Sequence, residues 1–357
     1  MNLALFAPEI HPPFIEGIQK TAWAVSGELV KRRQSHVIFT QRSYGDVLFE
    51  RDISAYRTVV YVFSVISIKL FKYCAWFFNA CTVALRLRHE RITHLLVFSL
   101  DAPFLPALAV SLMICPDISV RCLLFSTREL GGVQRIFLLL FGKRIERYFV
   151  RSRFMAQALA GCGIAADRIT EYLFFDHSFF SRLRADISRD EHAVMYLSSA
   201  DTGAGIDAVV AAAQALPAFH FIFAIREFSS RNEASVVALE QRIREFGITN
   251  IELLRNIDDV ALLLQRVGVV VVPPRTDYDT MNVPLVMLEA FVAKTPVIVR
   301  AISSFQEFIE EGYSISFTDH DLAKKISGGV ARDQVERAYR FVAGLPDVSV
   351  AVDRFLW

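Results

Sequence analysis

GVVVVPPRTDYDTMNVPLVMLEAFVAKTPVIVRA, residues 268–301, is the most informative stretch of the chain. Gly268–Val272 is almost entirely valine with no polar alternation, the pattern of a central parallel strand buried on both faces. A polar loop follows, and Val283-Pro284 then opens a helix, with proline near its first turn where a missing N–H costs nothing. That order predicts that backbone N–H groups of Thr280–Leu285 point away from the helix as a phosphate cradle. Glu289 stands about one turn further along an otherwise apolar helix. Solvation alone explains it poorly, and it is suited to accept hydrogen bonds from the hydroxyls of a ribose. A partly exposed helix residue and a local ion pair are the two plainer alternatives.

Working outward, short apolar runs alternate with helical periodicity along the whole chain, which predicts an α/β protein with parallel sheets. The first half has expected strands at 2–7, 36–40, 93–99, 119–125, 147–150 and 169–174. Helices are expected at 19–33 and at 153–160, where Ser152 is placed as N-cap and Gly161 as terminator. Residues 176–190 are polar, carry both signs of charge and show no period, so they read as a linker. The second half has expected strands at 193–197, 219–225, 250–254, 268–272 and 296–299. Its expected helices are 206–215, 232–245, 258–265, 285–293 and 305–310. The domains are therefore 1–175 and 191–330, with a helical tail over 331–357. Ligands of such sheets bind outside the carboxyl ends of the strands.

Composition narrows the function. There are 39 Lys and Arg against 38 Asp and Glu, so a nucleic-acid partner is not expected. The balance is uneven, though. Residues 1–150 hold 18 basic and 11 acidic side chains, and the remainder 21 against 27. A basic first half and an acidic second half suggest domains with different partners. The five cysteines form neither CxxC nor a zinc spacing, so they read as small buried hydrophobes of a reducing compartment. The N-terminus lacks the charged region and cleavage site of a signal peptide.

No apolar run reads as a membrane span, since the longest ones are broken by polar residues and prolines. The stretch Val59–Arg88 is nevertheless rich in aromatics and punctuated by Lys69, Lys72, Arg86 and Arg88. Two readings stay open for it: a core strand and helix, or a peripheral contact with an anionic membrane surface.

VPLVMLEAFVAKTPVIV resembles the donor-site helix of the family 4 glycosyltransferases of the GT-B fold. Gly17 falls where that family has a glycine loop facing the cleft. Ser152 with Phe154, the segment CGIAADRITEYLFFDHSFF, and NIELLRNIDDVALLLQRVGVVVVPP resemble further family landmarks in the family's order. The resemblance implies two Rossmann-like domains whose parallel sheets face each other across a cleft. It also implies a retaining, metal-independent transfer of a sugar from a nucleotide diphosphate to a glycan or lipid-linked acceptor. Polysaccharide biosynthesis and no cofactor are implied with it, while the cysteine usage, the basic first half and the Val59–Arg88 stretch point to the cytoplasm and a peripheral place at the inner membrane face.

Site residues follow from the same match. Glu289, Asn282, Val283, Pro284 and Leu285 would bind the donor, and Asp279 and His11 would stand at the reacting end. Asp101, Arg128 and Glu129 are acceptor candidates, whereas His94 opens an apolar strand and reads as structural. The sequence departs from the family at Met281, where a first glutamate is usual, and at Ser199 and Ala204, where an Arg and a Lys are usual. Two phosphates in a low-dielectric site need compensation, and Arg226 and Arg275 are the remaining cations. These gaps keep open a catalytically silent protein that binds a nucleotide-sugar or a partner. A third reading is an NAD-binding enzyme, because Gly203, Gly205 and Ala208 fit G-x-G-x-x-A with Glu227 about 20 residues on. Asp277-Tyr278-Asp279 spells a D-x-D metal motif but reads better as a polar loop.

Overall fold

The computed structural model describes residues 2–7, 17–41, 57–62, 80–100, 104–200, 203, 205–225, 230–255, 257, 259–318 and 320–356. They form two compact units: residues 1–176 with 346–357, and residues 177–345.

The first unit is built on a seven-stranded sheet in the order β3-β2-β1-β4-β5-β6-β7. Its strands are β1 (Leu3–Phe6), β2 (His36–Gln41), β3 (Arg57–Val62), β4 (His94–Phe98), β5 (Ser119–Leu124), β6 (Arg147–Val150) and β7 (Ile169–Glu171). Every pairing is parallel. The helices are α1 (Gly17–Lys31), α2 (80–89), α3 (Leu105–Ile114), α4 (Gly132–Phe141) and α5 (Arg153–Gly161). Ser152 caps α5 as expected, its hydroxyl accepting from the Met155 N–H at 3.3 Å. Strand β7 ends sooner than the apolar run to Phe174 predicts.

The second unit repeats the plan in a six-stranded parallel sheet, β10-β9-β8-β11-β12-β13. It comprises β8 (Asp190–Ser198), α6 (Ile206–Ala215), β9 (His220–Ile225), α7 (Ser230–Glu245), β10 (Ile251–Arg255), α8 (Val260–Arg266) and β11 (Val267–Val272). After these come α9 (Leu285–Val292), β12 (Val297–Arg300), α10 (Gln306–Glu310), β13 (Ile315–Phe317), α11 (Leu322–Ser327) and α12 (Arg332–Ala343). The valine run of β11 is buried along its whole length between β8 and β12, as a central parallel strand requires.

Two boundaries differ from the sequence reading. The expected linker 176–190 is packed on the second unit. Arg184 and Gln265 exchange backbone–side-chain hydrogen bonds at 3.0 and 2.7 Å, and the Arg189 guanidinium donates to the carbonyls of Ala293 and Lys294. Side-chain anchoring of this kind leaves no periodicity to read. The expected tail 331–357 also divides. Helix α12 packs on α9 in the second unit, whereas the last helix, α13 (Val348–Leu356), packs on α1 in the first. Among the described residues no helix is long and apolar enough to cross a membrane. Of the Val59–Arg88 stretch, residues 63–79, with Lys69 and Lys72, lie outside the described residues; 59–62 belong to β3 and 80–88 to α2.

Candidate functional site

In the second sheet the chain runs outward in opposite directions from β8 and β11, so these neighbours mark the topological switch point. Crevices at such points hold ligands, because the loops leaving the two strands part there. Three pieces of chain meet at this end: the turn after β8, the loop after β11, and the start of α9.

The two loops are clasped together. The Arg275 N–H donates to the Gly203 carbonyl at 3.0 Å. Gly205 has φ of +78°, and a Cβ there would sit 1.6 Å from the Pro273 carbonyl oxygen, so only glycine fits. A Cβ on Gly203 would come within 2.8 Å of Asp279 Oδ1. The glycines are thus consumed in packing one loop against the other. In a nicotinamide unit they would leave room for a pyrophosphate, so this geometry argues against the dinucleotide reading; Glu227 lies outside the described residues.

Each carboxylate of the 277–279 motif is also committed locally. Asp277 Oδ1 accepts from the Ser304 N–H at 2.6 Å and from the Ser304 hydroxyl, tying the loop to the turn after β12. Asp279 Oδ2 accepts from the Thr276 N–H at 2.9 Å and the Thr276 hydroxyl at 2.7 Å. Both shape the loop. Among the described residues no cluster of three metal-ligating side chains occurs.

Helix α9 begins at Pro284 with neither a side-chain cap nor an acidic residue in its first turn. Apart from the Met287 N–H, which donates to the Pro284 carbonyl at 3.1 Å, its leading N–H groups and the positive end of its dipole are therefore available to an anion. Val283 and Asn282 beside it are fully buried, and Leu285 is half-buried. Glu289 is only 3% exposed, on a helix whose residues 286–292 are all buried. A carboxylate so placed is not a solvated surface charge, which removes one of the two plain explanations for it.

The cations are less simple. Arg275 is exposed and forms an ion pair with Asp207, in the first turn of α6; the other oxygen of Asp207 takes Arg242. Arg226 lies outside the described residues. Sequence reading missed Arg300, at the carboxyl tip of β12. Its Nε donates to the Pro273 carbonyl at 3.2 Å, and its guanidinium lies over Phe317 at 5.1 Å. The available signal was a basic residue ending the apolar run VIVR one strand from the switch point.

In the first unit, Gly17 is the buried first residue of α1. His11 and Asp101 lie outside the described residues. Arg128 is exposed, but Glu129 is buried and accepts the N–H groups of Leu100, Phe125 and Ser126 at 2.8, 2.8 and 3.0 Å. It bridges the tips of β4 and β5, so its carboxylate is spent on the backbone and does not serve an acceptor. Arg151, at the tip of β6, was also missed. It is buried over the Phe125 ring at 5.6 Å, and burial pulls its pKa down to about 10. His94 opens β4 as expected; partial burial, helped by Arg121, lowers its pKa and favours the neutral ring.

Residues 192–331 match the family of glycosyl transferases group 1. No curated protein sequence matches the chain significantly. Among solved structures, HepE of Anabaena in complex with UDP is 14% identical with a TM-score of 0.74, covering 100% of this chain and 98% of that one. Sucrose-phosphate synthase of Thermosynechococcus elongatus is 15% identical with a TM-score of 0.74 and the same coverage. WaaG, a glycosyltransferase involved in lipopolysaccharide biosynthesis, is 13% identical with a TM-score of 0.69, covering 99% of each chain. The chain therefore has the GT-B glycosyltransferase fold from end to end, and its residues 192–331 match the group 1 glycosyl transferase family.

Proposed function

We propose that the protein transfers a hexose-type sugar, with retention of configuration, from a nucleotide diphosphate to a glycan or lipid-linked acceptor. The observation that carries this reading is the buried Glu289 on α9, whose uncapped N-terminus opens at the β8/β11 switch point. Glu289 holds the ribose hydroxyls, and the N–H groups of Asn282, Val283 and Leu285, Pro284 having none, take the phosphates. Arg275, Arg300 and, on sequence grounds, Arg226 compensate the diphosphate as it leaves, with no metal in the scheme. Preorganised donors aimed at developing charge supply several kcal/mol in a dry site. Asp279, whose Oδ2 also holds Thr276, and, on sequence grounds, His11 are the candidates for the reacting end of the sugar, and the first unit takes the acceptor. HepE in complex with UDP-glucose supports a nucleotide-sugar for the same fold.

The test is a panel of nucleotide-sugars incubated with the purified chain, followed for donor hydrolysis and for transfer to lipid-linked and soluble glycans. Turnover of one donor with its anomeric configuration kept supports the reading. Binding without turnover across the panel, acceptors present, reassigns the chain as a silent nucleotide-sugar binder.

A further inference from the structure

Helix α4 breaks the rule for a helix that covers a sheet. Its inner face supplies Phe137 and Leu138 to the core, as it should. Its outer face should then be polar. Instead Val133, Ile136, Leu139 and Leu140 are 54, 58, 67 and 69% exposed. Covering helix α7, by contrast, carries Glu233, Glu240, Arg242 and Arg244.

The apolar surface continues onto neighbouring helices. The crossovers from β3 to β4, β4 to β5 and β5 to β6 all step the same way along the sheet, so right-handed connections put α2, α3 and α4 on one face. Arg144 fastens the end of α4 to the end of α3, donating to the carbonyls of Leu112 and Pro116 at 3.4 and 2.7 Å. Cys115 Sγ, just past α3, lies 3.9 Å from the Ala84 carbonyl of α2. Met113 and Ile114 on α3 and Leu85 on α2 are exposed as well. Thus seven of the eleven large apolar side chains exposed among the described residues sit on these three helices. Concentration of that kind marks an interaction surface rather than ordinary scatter.

The charge along α4 and the turn after it has one sign, while Asp117 past α3 and Glu90 past α2 are the exposed acids beside it. Residues 130–145 contain no Asp or Glu, and Arg135, Lys143 and Arg144 are all exposed. Arg88 and Arg86 flank Leu87 on α2, and the nearby Glu90 is spent on Arg86 at 3.8 Å.

We propose that the outer face of α4, with the ends of α2 and α3 beside it, docks on an anionic lipid bilayer. The aliphatic side chains enter the headgroup layer, and the arginines and Lys143 lay their stems along them and reach the lipid phosphates. A second copy of the chain fits less well. An isologous pairing through α4 sets Arg135 and Lys143 against their own copies in a drying interface. The surface belongs to the first unit alone and does not depend on the donor-site assignment.

Sedimentation of the full chain with vesicles tests it, using phosphatidylglycerol mixed with phosphatidylcholine, or phosphatidylcholine alone, at low and high salt. The chain should pellet with the anionic vesicles and be partly released by salt, since surface charges are screened over about 8 Å at physiological ionic strength. Ile136→Gln with Leu140→Gln should lower vesicle affinity by about tenfold or more. Arg135→Ser with Lys143→Ser should lower it on anionic vesicles alone, and the thermal midpoint of both variants should stay at the parent value. The proposal is overturned if the parent stays in the supernatant, pellets equally with both vesicle types, or binds no better than the apolar variant. A parent dimer made monomeric by Ile136→Gln/Leu140→Gln, without vesicle binding, would assign the face to a second copy. Glu289→Gln should pellet like the parent, so failure of the donor-site reading and failure of this one are separately visible.

Discussion

Two residues of the second unit carry opposite kinds of information. Glu289 was legible in sequence because a carboxylate on PLVMLEAFVA has no solvent-facing excuse, and it is indeed buried. Glu289→Gln keeps its shape but removes the charge, so nucleotide binding should weaken by about 1–2 kcal/mol, the worth of a charge-assisted hydrogen bond. Calorimetry with a nucleoside diphosphate checks this, and equal affinity in mutant and parent would end its assigned role. Gly205 was legible only as part of a motif that turns out to do something else. Gly205→Ala must hold a left-handed backbone, costing about 1–2 kcal/mol, and must also push back the Pro273 carbonyl, 1.6 Å from the new Cβ. Its thermal midpoint should fall and its nucleotide affinity with it, because the loop it displaces leads into α9. A midpoint equal to the parent's would show that the clasp between the loops is not needed.

At the scale of elements, α13 shows what periodicity leaves out. Its helical character was readable, but its place was not. The helix is held on α1 by Arg32, which pairs with Asp353 and donates to the Ser349 carbonyl at 2.6 Å. The hydrogen bond from Arg32 holds the Asp353 carboxyl below its ordinary range. A depressed carboxylate pKa contributes stability above the unfolded value, near 3.9, and loses it as pH falls through the folded value. The pair is exposed, so its worth is only about 0.2–1 kcal/mol. The protection of the 348–356 amides, taken as the ratio of intrinsic to observed exchange rate, should therefore fall on acidification below about pH 4, and Asp353→Asn should show the lower protection and faster exchange already at neutral pH. Exchange in the variant that is unchanged at neutral pH would show that packing alone holds α13.

Across the whole molecule, the last twelve residues belong to the first unit, although the chain reaches them only after completing the second. Phe355 sits in an aromatic cluster with Phe149, Tyr172 and Phe174, at ring distances of 4.9, 5.9 and 5.5 Å. Phe355→Ala should cost about 3–5 kcal/mol, the usual range for emptying such a site. The loss should fall on the first unit. In calorimetric unfolding the first unit's transition should move down while nucleotide affinity, a property of the second unit, stays at the parent value. Equal loss in both would mean that the units unfold as one.

The sequence by itself determined the parallel α/β class, two sheets, the central strand β11 and the helix carrying Glu289. These are local patterns, repeated every two or 3.6 residues, and burial on both faces enforces them. It also placed the N-cap Ser152, because a cap is read within four residues of its helix. Tertiary structure alone decided that 177–190 is bound to the second unit, that α13 returns to the first, and that Glu129 serves backbone N–H groups. It also decided that Asp207 takes Arg275, and that the outer side of α4 is bare. Each of these rests on partners distant in sequence or on which side of a helix another element covers, and neither leaves a period in the chain.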